Sequence, residues 1–276
     1  FWLNYLAALR RSDCRTFIIS AIFRTDSVFF KWYGDAFRRA LHTFERLFVQ
    51  NAESQALLRT INVTNVSVAG DTRFDRVYEI ASAARELDLV KAFAGNSRVM
   101  VCGSTWPPDE ELLLRLIGDF PGLKIIIAPH EIIPSRIERL IAQSPRRAVR
   151  YTELSSPADL TGAEVLVVDT IGILSSVYRY GTYAYIGGGF GVGIHNILEA
   201  ATFGLPLGFG PNYHRFKEAC DLVAMGGAAS VDAYEPLRAW LGGLEADATL
   251  RACASRICAD YVADNRGATA TILGAL

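Results

Sequence analysis

No Cys-x-x-Cys pair occurs in this chain, and its five cysteines (Cys14, Cys102, Cys220, Cys253 and Cys258) are odd in number. Neither a disulfide framework nor thiolate metal binding is expected, and a reduced, cytosolic setting is the simplest reading. No apolar run reaches the ~18–20 residues that span a bilayer, and no stretch reads as a signal peptide. The G-x-x-x-x-G-K-[ST] signature is missing, and the one glycine-rich loop does not match G-x-G-x-x-G, so the usual NTP and dinucleotide cradles are excluded. Short-period repeats and low-complexity tracts are missing too.

What is present is a globular composition, with 51% hydrophobic and 21% charged residues. The 276 residues suffice for two ordinary domains or one large one. The net charge of −1 conceals an asymmetry: residues 1–77 carry 11 Lys and Arg against 7 Asp and Glu, and the remainder 17 against 22. A basic first part suggests an anionic partner there. Within it Phe23, Arg24, Phe29, Phe30, Lys31, Trp32, Tyr33, Phe37, Arg38 and Arg39 interleave aromatic and basic groups. This segment reads either as a patch for a phosphorylated lipid or membrane surface, with Arg24 and Lys31 as phosphate contacts, or as an amphipathic helix packed into a core. Nucleic acid is disfavoured, since the wider chain has no basic surplus. The chain begins without Met, and Phe1–Leu9 already reads as the middle of an amphipathic helix with no N-cap. A longer natural beginning is expected.

Short, continuously apolar runs alternate with helical patterns, which predicts parallel sheets covered on both faces. Strands are expected at 16–21, 46–50, 66–69, 98–102, 124–128, 148–151, 164–169, 183–186 and 205–209. Among the helices, 76–93 and 194–204 are each expected as one element. The break between domains falls near 78–97, giving a first domain over residues 1–90 with only three strands and a doubly wound second domain over 91–276 with about six. The last helix is expected to pack back toward the first domain.

Gly187-Gly-Gly-Phe-Gly-Val-Gly-Ile-His-Asn-Ile-Leu-Glu199 follows one apolar strand and opens a helical stretch. That architecture sets main-chain N–H groups and a positive helix end against a phosphate. His195 either packs against the loop or meets the ligand. Other loops at strand ends carry Gly103-Ser104-Thr105-Trp106-Pro107, Ala128-Pro129-His130-Glu131 and Asp169-Thr170-Ile171-Gly172. In open α/β sheets ligands bind beyond the carboxyl ends of strands, so small and hydroxyl groups there suit a phosphate and a ribose. A nucleotide-sugar site fits best.

Gly70-Asp-Thr-Arg-Phe-Asp-Arg76 precedes these loops in the chain, and Phe209-Gly-Pro-Asn212 and Asn265-Arg-Gly-Ala268 follow them. As an ordered set from Phe1 to the end, the motifs resemble the 3-deoxy-D-manno-octulosonic acid (Kdo) transferases. The resemblance implies an α/β GT-B-type glycosyltransferase with two Rossmann-like domains and a cleft between them, the first domain N-terminally truncated here. It implies transfer of Kdo from the donor CMP-Kdo to a lipid A precursor in lipopolysaccharide core biosynthesis, at the cytoplasmic face of the bacterial inner membrane. No cofactor and no metal are implied. Carried over by position, CMP contacts fall on Pro129 and His130; on Ile171, Gly172 and Ile173; and on Asn196, Ile197, Leu198 and Glu199. Ser104 and Thr105 are further donor-side candidates. Two positions depart from the pattern: His130 stands where many members have Arg, and Ile173 where many have an acid. The family's catalytic glutamate belongs to an early segment that this chain lacks, so the catalytic residue is unknown and the chain alone is expected to be inactive. The alternatives are a nucleotide-sugar epimerase of the same fold and a non-catalytic CMP- or lipid-binding fragment.

Overall fold

The computed structural model describes residues 2–12 and 14–276; the expectation for Phe1 lies outside them. The chain divides into two compact units, residues 1–76 with 264–276, and residues 77–263.

The first unit runs α1 (Leu3–Arg11), β1 (Phe17–Ala21), α2 (Asp35–Leu41), β2 (Arg46–Val49), α3 (Ala52–Arg59), β3 (Val66–Val68) and the start of α4 (Thr72–Ser82). Its three strands pair in parallel in the order β1-β2-β3. Leu47, Val49, Leu58 and Leu41 lie buried between sheet and helices. α3 starts where Asn51 Oδ1 accepts the Ser54 N–H, a side-chain cap for a group with no helical partner. Two of the recognised motifs meet here: Asp75 accepts from the N–H of Gly267 and of Thr269, both at 2.7 Å. The bonds fasten the start of a C-terminal helix (Ala268–Leu273) onto α4 within this unit.

The second unit holds α5 (Asp88–Ala94), β4 (Val99–Thr105), α6 (Pro107–Asp119), β5 (Lys124–Pro129), α7 (Pro134–Gln143), β6 (Ala148–Arg150), β7 (Val165–Val167), α8 (Leu174–Val177), β8 (Tyr183–Ile186), α9 (Leu198–Ala201), β9 (Leu207–Phe209), α10 (Lys217–Met225), β10 (Ala228–Ser230), α11 (Tyr234–Ala246) and α12 (Ala248–Asp264), with α13 (Ala268–Leu273) beyond it. Seven strands, not six, form one parallel sheet in the order β10-β9-β8-β4-β5-β7-β6. Alternate residues Met100, Cys102, Ile125, Ile127, Tyr183 and Tyr185 point to one face, where Leu113 and Leu116 of α6 and Leu237 and Leu241 of α11 cover them. Val99, Val101, Ile126 and Ala184, of opposite parity, are equally buried, so both faces are covered.

The expected helix over 76–93 is two helices, α4 and α5, with residues 83–87 between them. Residues 77–94 group with the second unit. α5 is held there by Leu87 N–H donating to Tyr180 Oη at 2.7 Å and by Lys124 Nζ donating to the Phe93 carbonyl at 2.5 Å.

Candidate functional site

The connection after β4 runs through α6 to β5 on one side of the sheet, whereas that after β8 runs through α9 to β9 on the other. The carboxyl ends of these adjacent strands therefore diverge and leave a crevice between the loops they feed. A pocket of about 240 Å³ opens there, lined by Trp106, Pro108, Asp109, Gly188, Phe190 and Val192.

Glycine is compulsory on the β8 side because main chains meet. A Cβ on Gly187 would stand 2.2 Å from the Ser104 carbonyl oxygen, and one on Gly189 would stand 2.6 Å from Gly210 Cα. The Gly187 N–H reaches the Gly103 carbonyl at 2.9 Å, and Gly188 N–H reaches Asp109 Oδ2 at 3.0 Å. Gly191 and Gly193 donate to the Gly188 carbonyl, Ile194 to Asn212 and His195 to Gly187. Most of the loop is thus braced by its own amides. Among the described residues Gly189, Phe190, Val192, Asn196 and Ile197 keep N–H groups without a protein acceptor. The expected helix over 194–204 shrinks to the single turn α9, since residues 193–197 form an irregular loop stitched to Gly187 and Asn212. A one-turn helix has little macrodipole, so individual amides are what remain for an anion.

Asp109 ties the crevice together. Fully buried, it accepts from Tyr185 Oη (2.8 Å), Gly188 N–H (3.0 Å) and Trp106 N–H (2.9 Å), joining β8, the glycine loop and the start of α6. Next to it Glu110 accepts from Thr105 Oγ1 (3.1 Å) and Arg136 Nη2 (3.4 Å). Burial holds the Glu110 carboxyl above its usual range although Arg136 opposes the shift. Above Asp109 three rings from three loops assemble. Trp106 Nε1 donates to His195 Nε2 at 3.1 Å, and His130 stacks on both, its centroid 4.8 Å from Trp106 and 4.3 Å from His195.

The residues singled out from sequence fall into groups. Pro129 and His130 end β5, with His130 exposed. Ile171 (87% exposed), Gly172 (φ +88°) and half-buried Ile173 form the loop between β7 and α8. Asn196 and Glu199 form a local unit: Asn196 Oδ1 accepts the Leu198 N–H at 3.1 Å, and Nδ2 donates to Glu199 Oε1 at 3.0 Å. Burial raises the Glu199 pKa, and the Asn196 bond acts against that. Ile197 and Leu198 are buried, so only their main chain reaches the crevice. Ser104 is half-buried at φ +53°, whereas Thr105 is fully buried with its hydroxyl committed to Glu110. Asp169 neither caps a helix nor faces the crevice; it accepts from Arg150, Thr152 N–H and Thr152 Oγ1. Trp106 and Asp109 were not among the sequence's site candidates; His195, read as either packing against the loop or meeting the ligand, packs against Trp106 and His130. The signal for Asp109 was its place three residues into a helix opened by Pro107-Pro108, where an acid takes up main-chain donors.

The aromatic–basic segment of the first unit divides. Phe23 and Phe29 are core residues with ring centroids 5.2 Å apart, whereas Trp32 is 91% and Tyr33 60% exposed. Arg24 is exposed and Lys31 half-buried. Among the described residues no helix is long and apolar enough to cross a membrane, and no cluster of three His, Cys, Asp or Glu side chains is placed to hold a metal.

Two parallel α/β units, the second with its crevice at the strand reversal, define a GT-B-type fold. The C-terminal CMP-Kdo binding domain of WaaA from Acinetobacter baumannii superposes with TM-score 0.50 at 22% identity, covering 66% of this chain and 98% of that one. A putative UDP-N-acetylglucosamine 2-epimerase from Listeria monocytogenes superposes with TM-score 0.61 at 11% identity, covering 92% of this chain and 65% of that one. At such identities the likeness speaks to fold alone. Sequence carries the finer resolution. Residues 1–76 match the family described as 3-Deoxy-D-manno-octulosonic-acid transferase (kdotransferase). The 3-deoxy-D-manno-octulosonic acid transferase of Bordetella pertussis is 28% identical over 100% of this chain and 66% of its own length; that of Rickettsia felis is 26% identical over 79% and 47%. This chain is similar in sequence to these Kdo transferases, and it spans roughly half to two-thirds of their length.

Proposed function

We infer that the chain belongs to a glycosyltransferase that moves Kdo from CMP-Kdo to a lipid A precursor, with the second unit holding the donor. The observation that carries the reading is positional. Three segments far apart in sequence, Pro129–His130, Ile171–Ile173 and Asn196–Glu199, follow from the carboxyl ends of β5, β7 and β8 in a single parallel sheet. In this reading the cytosine lies by Pro129 and Ile171–Ile173, and the ribose hydroxyls donate to Glu199. The phosphate takes the N–H groups of Asn196 and Ile197 with His130 beside it. Ser104 lies on the donor-sugar side.

Breaking the bond between the anomeric carbon and CMP leaves negative charge on the departing phosphate, and fixed donors aimed at that charge lower the barrier. The acceptor hydroxyl must lose its proton to a base, and no residue of this chain is assigned that role. The transfer needs no cofactor or metal in this reading. Arg24 and Lys31, near exposed Trp32 and Tyr33, would meet phosphorylated lipid at the cytoplasmic face of the inner membrane, a basic–aromatic surface of the kind that seats in headgroups.

Calorimetry tests the donor reading. CMP and CMP-Kdo are expected to bind and UDP-N-acetylglucosamine to bind at least ~10-fold more weakly. Glu199→Ala should weaken CMP by about tenfold, the ~1.4 kcal/mol of a lost charge-assisted bond, while leaving the melting temperature unchanged. Preference for the UDP-sugar would favour the epimerase reading instead.

A further inference from the structure

Tyr178 is a buried tyrosine whose hydroxyl has no protein partner. It opens the 3₁₀ turn Tyr178–Tyr180 between α8 and β8 and is 2% exposed. A buried tyrosine ordinarily finds a partner for its hydroxyl, and the others of this unit do. Tyr183 accepts from Arg251, while Tyr185, Tyr234 and Tyr261 donate to Asp109, Asp119 and Asp221. Tyr178 Oη bonds no protein group among the described residues. Nor is it sealed in, because the one fully buried side-chain polar atom without a partner among those residues is Glu245 Oε1. The small accessible part of Tyr178 therefore includes its hydroxyl.

The sheet sets where that hydroxyl points. A Cβ on Gly103 would stand 2.0 Å from Tyr178 Oη and 3.0 Å from Cζ, so the ring lies in the space this glycine leaves at the carboxyl end of β4. Gly103 shares parity with Val99 and Val101, whereas Met100 and Cys102 face α6 and α11. Tyr178 thus lies on the face opposite α6, the face that carries α9 and its Glu199. Burial raises the Tyr178 pKa, and the Glu199 carboxylate is near enough to raise it further, so the phenol keeps its proton and can donate it. Glu199 Oε1 is engaged by Asn196, which leaves Oε2 for another donor. A donor and an acceptor held near each other yet unbonded match one hydroxyl group, which accepts from the first and donates to the second.

We propose that Tyr178 is a second ribose contact: it donates to the sugar hydroxyl that donates to Glu199, so that the crevice selects ribonucleotides over deoxyribonucleotides. This rests on the reading of Glu199 as the ribose acceptor, and adds the donor and the selectivity. A site that bonds a hydroxyl from both sides rejects the analogue lacking it, because Tyr178 and Glu199 are then both left unpaired behind a bound ligand. Phe at this position keeps the ring that fills the space beside Gly103 and removes the donor alone.

Calorimetry on the full chain compares CMP with its 2′-deoxy and 3′-deoxy forms. Wild type is expected to bind one of the two deoxy forms at least ~10-fold more weakly than CMP. Tyr178→Phe should weaken CMP by about 3- to 10-fold, the loss of one hydrogen bond, and leave the affinity for that deoxy form unchanged. Its melting temperature should equal that of wild type or exceed it, since the hydroxyl removed bonds nothing in the empty protein. Equal weakening of CMP and both deoxy forms would make the hydroxyl structural and overturn the inference, as would a melting temperature lowered by several degrees. CMP affinity unchanged in Tyr178→Phe but reduced in Glu199→Ala overturns the inference and leaves the nucleotide reading intact. If wild type binds CMP and both deoxy forms alike, the ribose role of Glu199 falls with it; if it binds none of them, so does the nucleotide reading.

Discussion

Gly187→Ala is expected to lower the melting temperature by about 6–12 °C and to abolish CMP binding, whereas Gly191→Ala, four residues on in the same loop, leaves both unchanged. The contrast follows from what each new methyl group meets. At Gly187 the nearest atoms are main chain, the Ser104 carbonyl oxygen at 2.2 Å and Thr105 Cα at 2.6 Å. Neither can swing aside without breaking the β4–β8 pairing that ends at Gly103 and Ile186. Forcing such an overlap costs on the order of 3 kcal/mol, which sets the size of the shift for a unit of this length. At Gly191 the nearest atom is the Gly188 carbonyl oxygen at 3.6 Å, ordinary contact distance. Thermal melts followed by circular dichroism decide the matter. Equal midpoints for the two variants would mean that the loop does not sit against β4 as described.

Asp109→Ala should cost about 3–5 kcal/mol and weaken CMP by at least tenfold. The substitution strands three donors at once, the Tyr185 hydroxyl and the N–H groups of Gly188 and Trp106. Each buried donor left without an acceptor costs about 1–3 kcal/mol, partly recovered where water enters. Two of the three donors belong to the walls of the crevice, so the ligand loses a preformed site as well as the protein losing stability. Exposed Glu111, two residues further on, provides the control: Glu111→Ala should stay within about 0.5 kcal/mol. Urea unfolding with parallel calorimetry checks both effects. An Asp109→Ala variant as stable as Glu111→Ala would show that the carboxylate is not the tie.

These two positions also mark where sequence reading reached its limit. Parallel strands were legible because buried strands of this kind are continuous apolar runs, as in Ile125–Ala128 and Tyr183–Ile186. β10 escaped because Ala228–Ser230 has neither branched nor aromatic residues and is a strand only by pairing with β9. Helix α9 was overextended because Ile194 and Ile197 continue an apolar helical period, while tertiary bonds from Ile194 to Asn212 and from His195 to Gly187 hold residues 194 and 195 out of the helix. The loops at the strand ends could be found from their glycines and motifs. The Trp106–His130–His195 assembly could not, since its members lie on three separate loops and only the order β8-β4-β5 brings them side by side. Thr105 illustrates the same limit, a hydroxyl at a strand end that local sequence offers to a ligand and the fold gives to Glu110.

A crystal structure of the chain soaked with CMP tests the central claim most directly. The account predicts the phosphate beside His130 and the free N–H groups of Asn196 and Ile197, the ribose on Glu199, and the base between the β5 and β7 loops. CMP seated elsewhere, or a crevice closed by the side chains of Trp106 and Phe190 at saturating CMP, would contradict it.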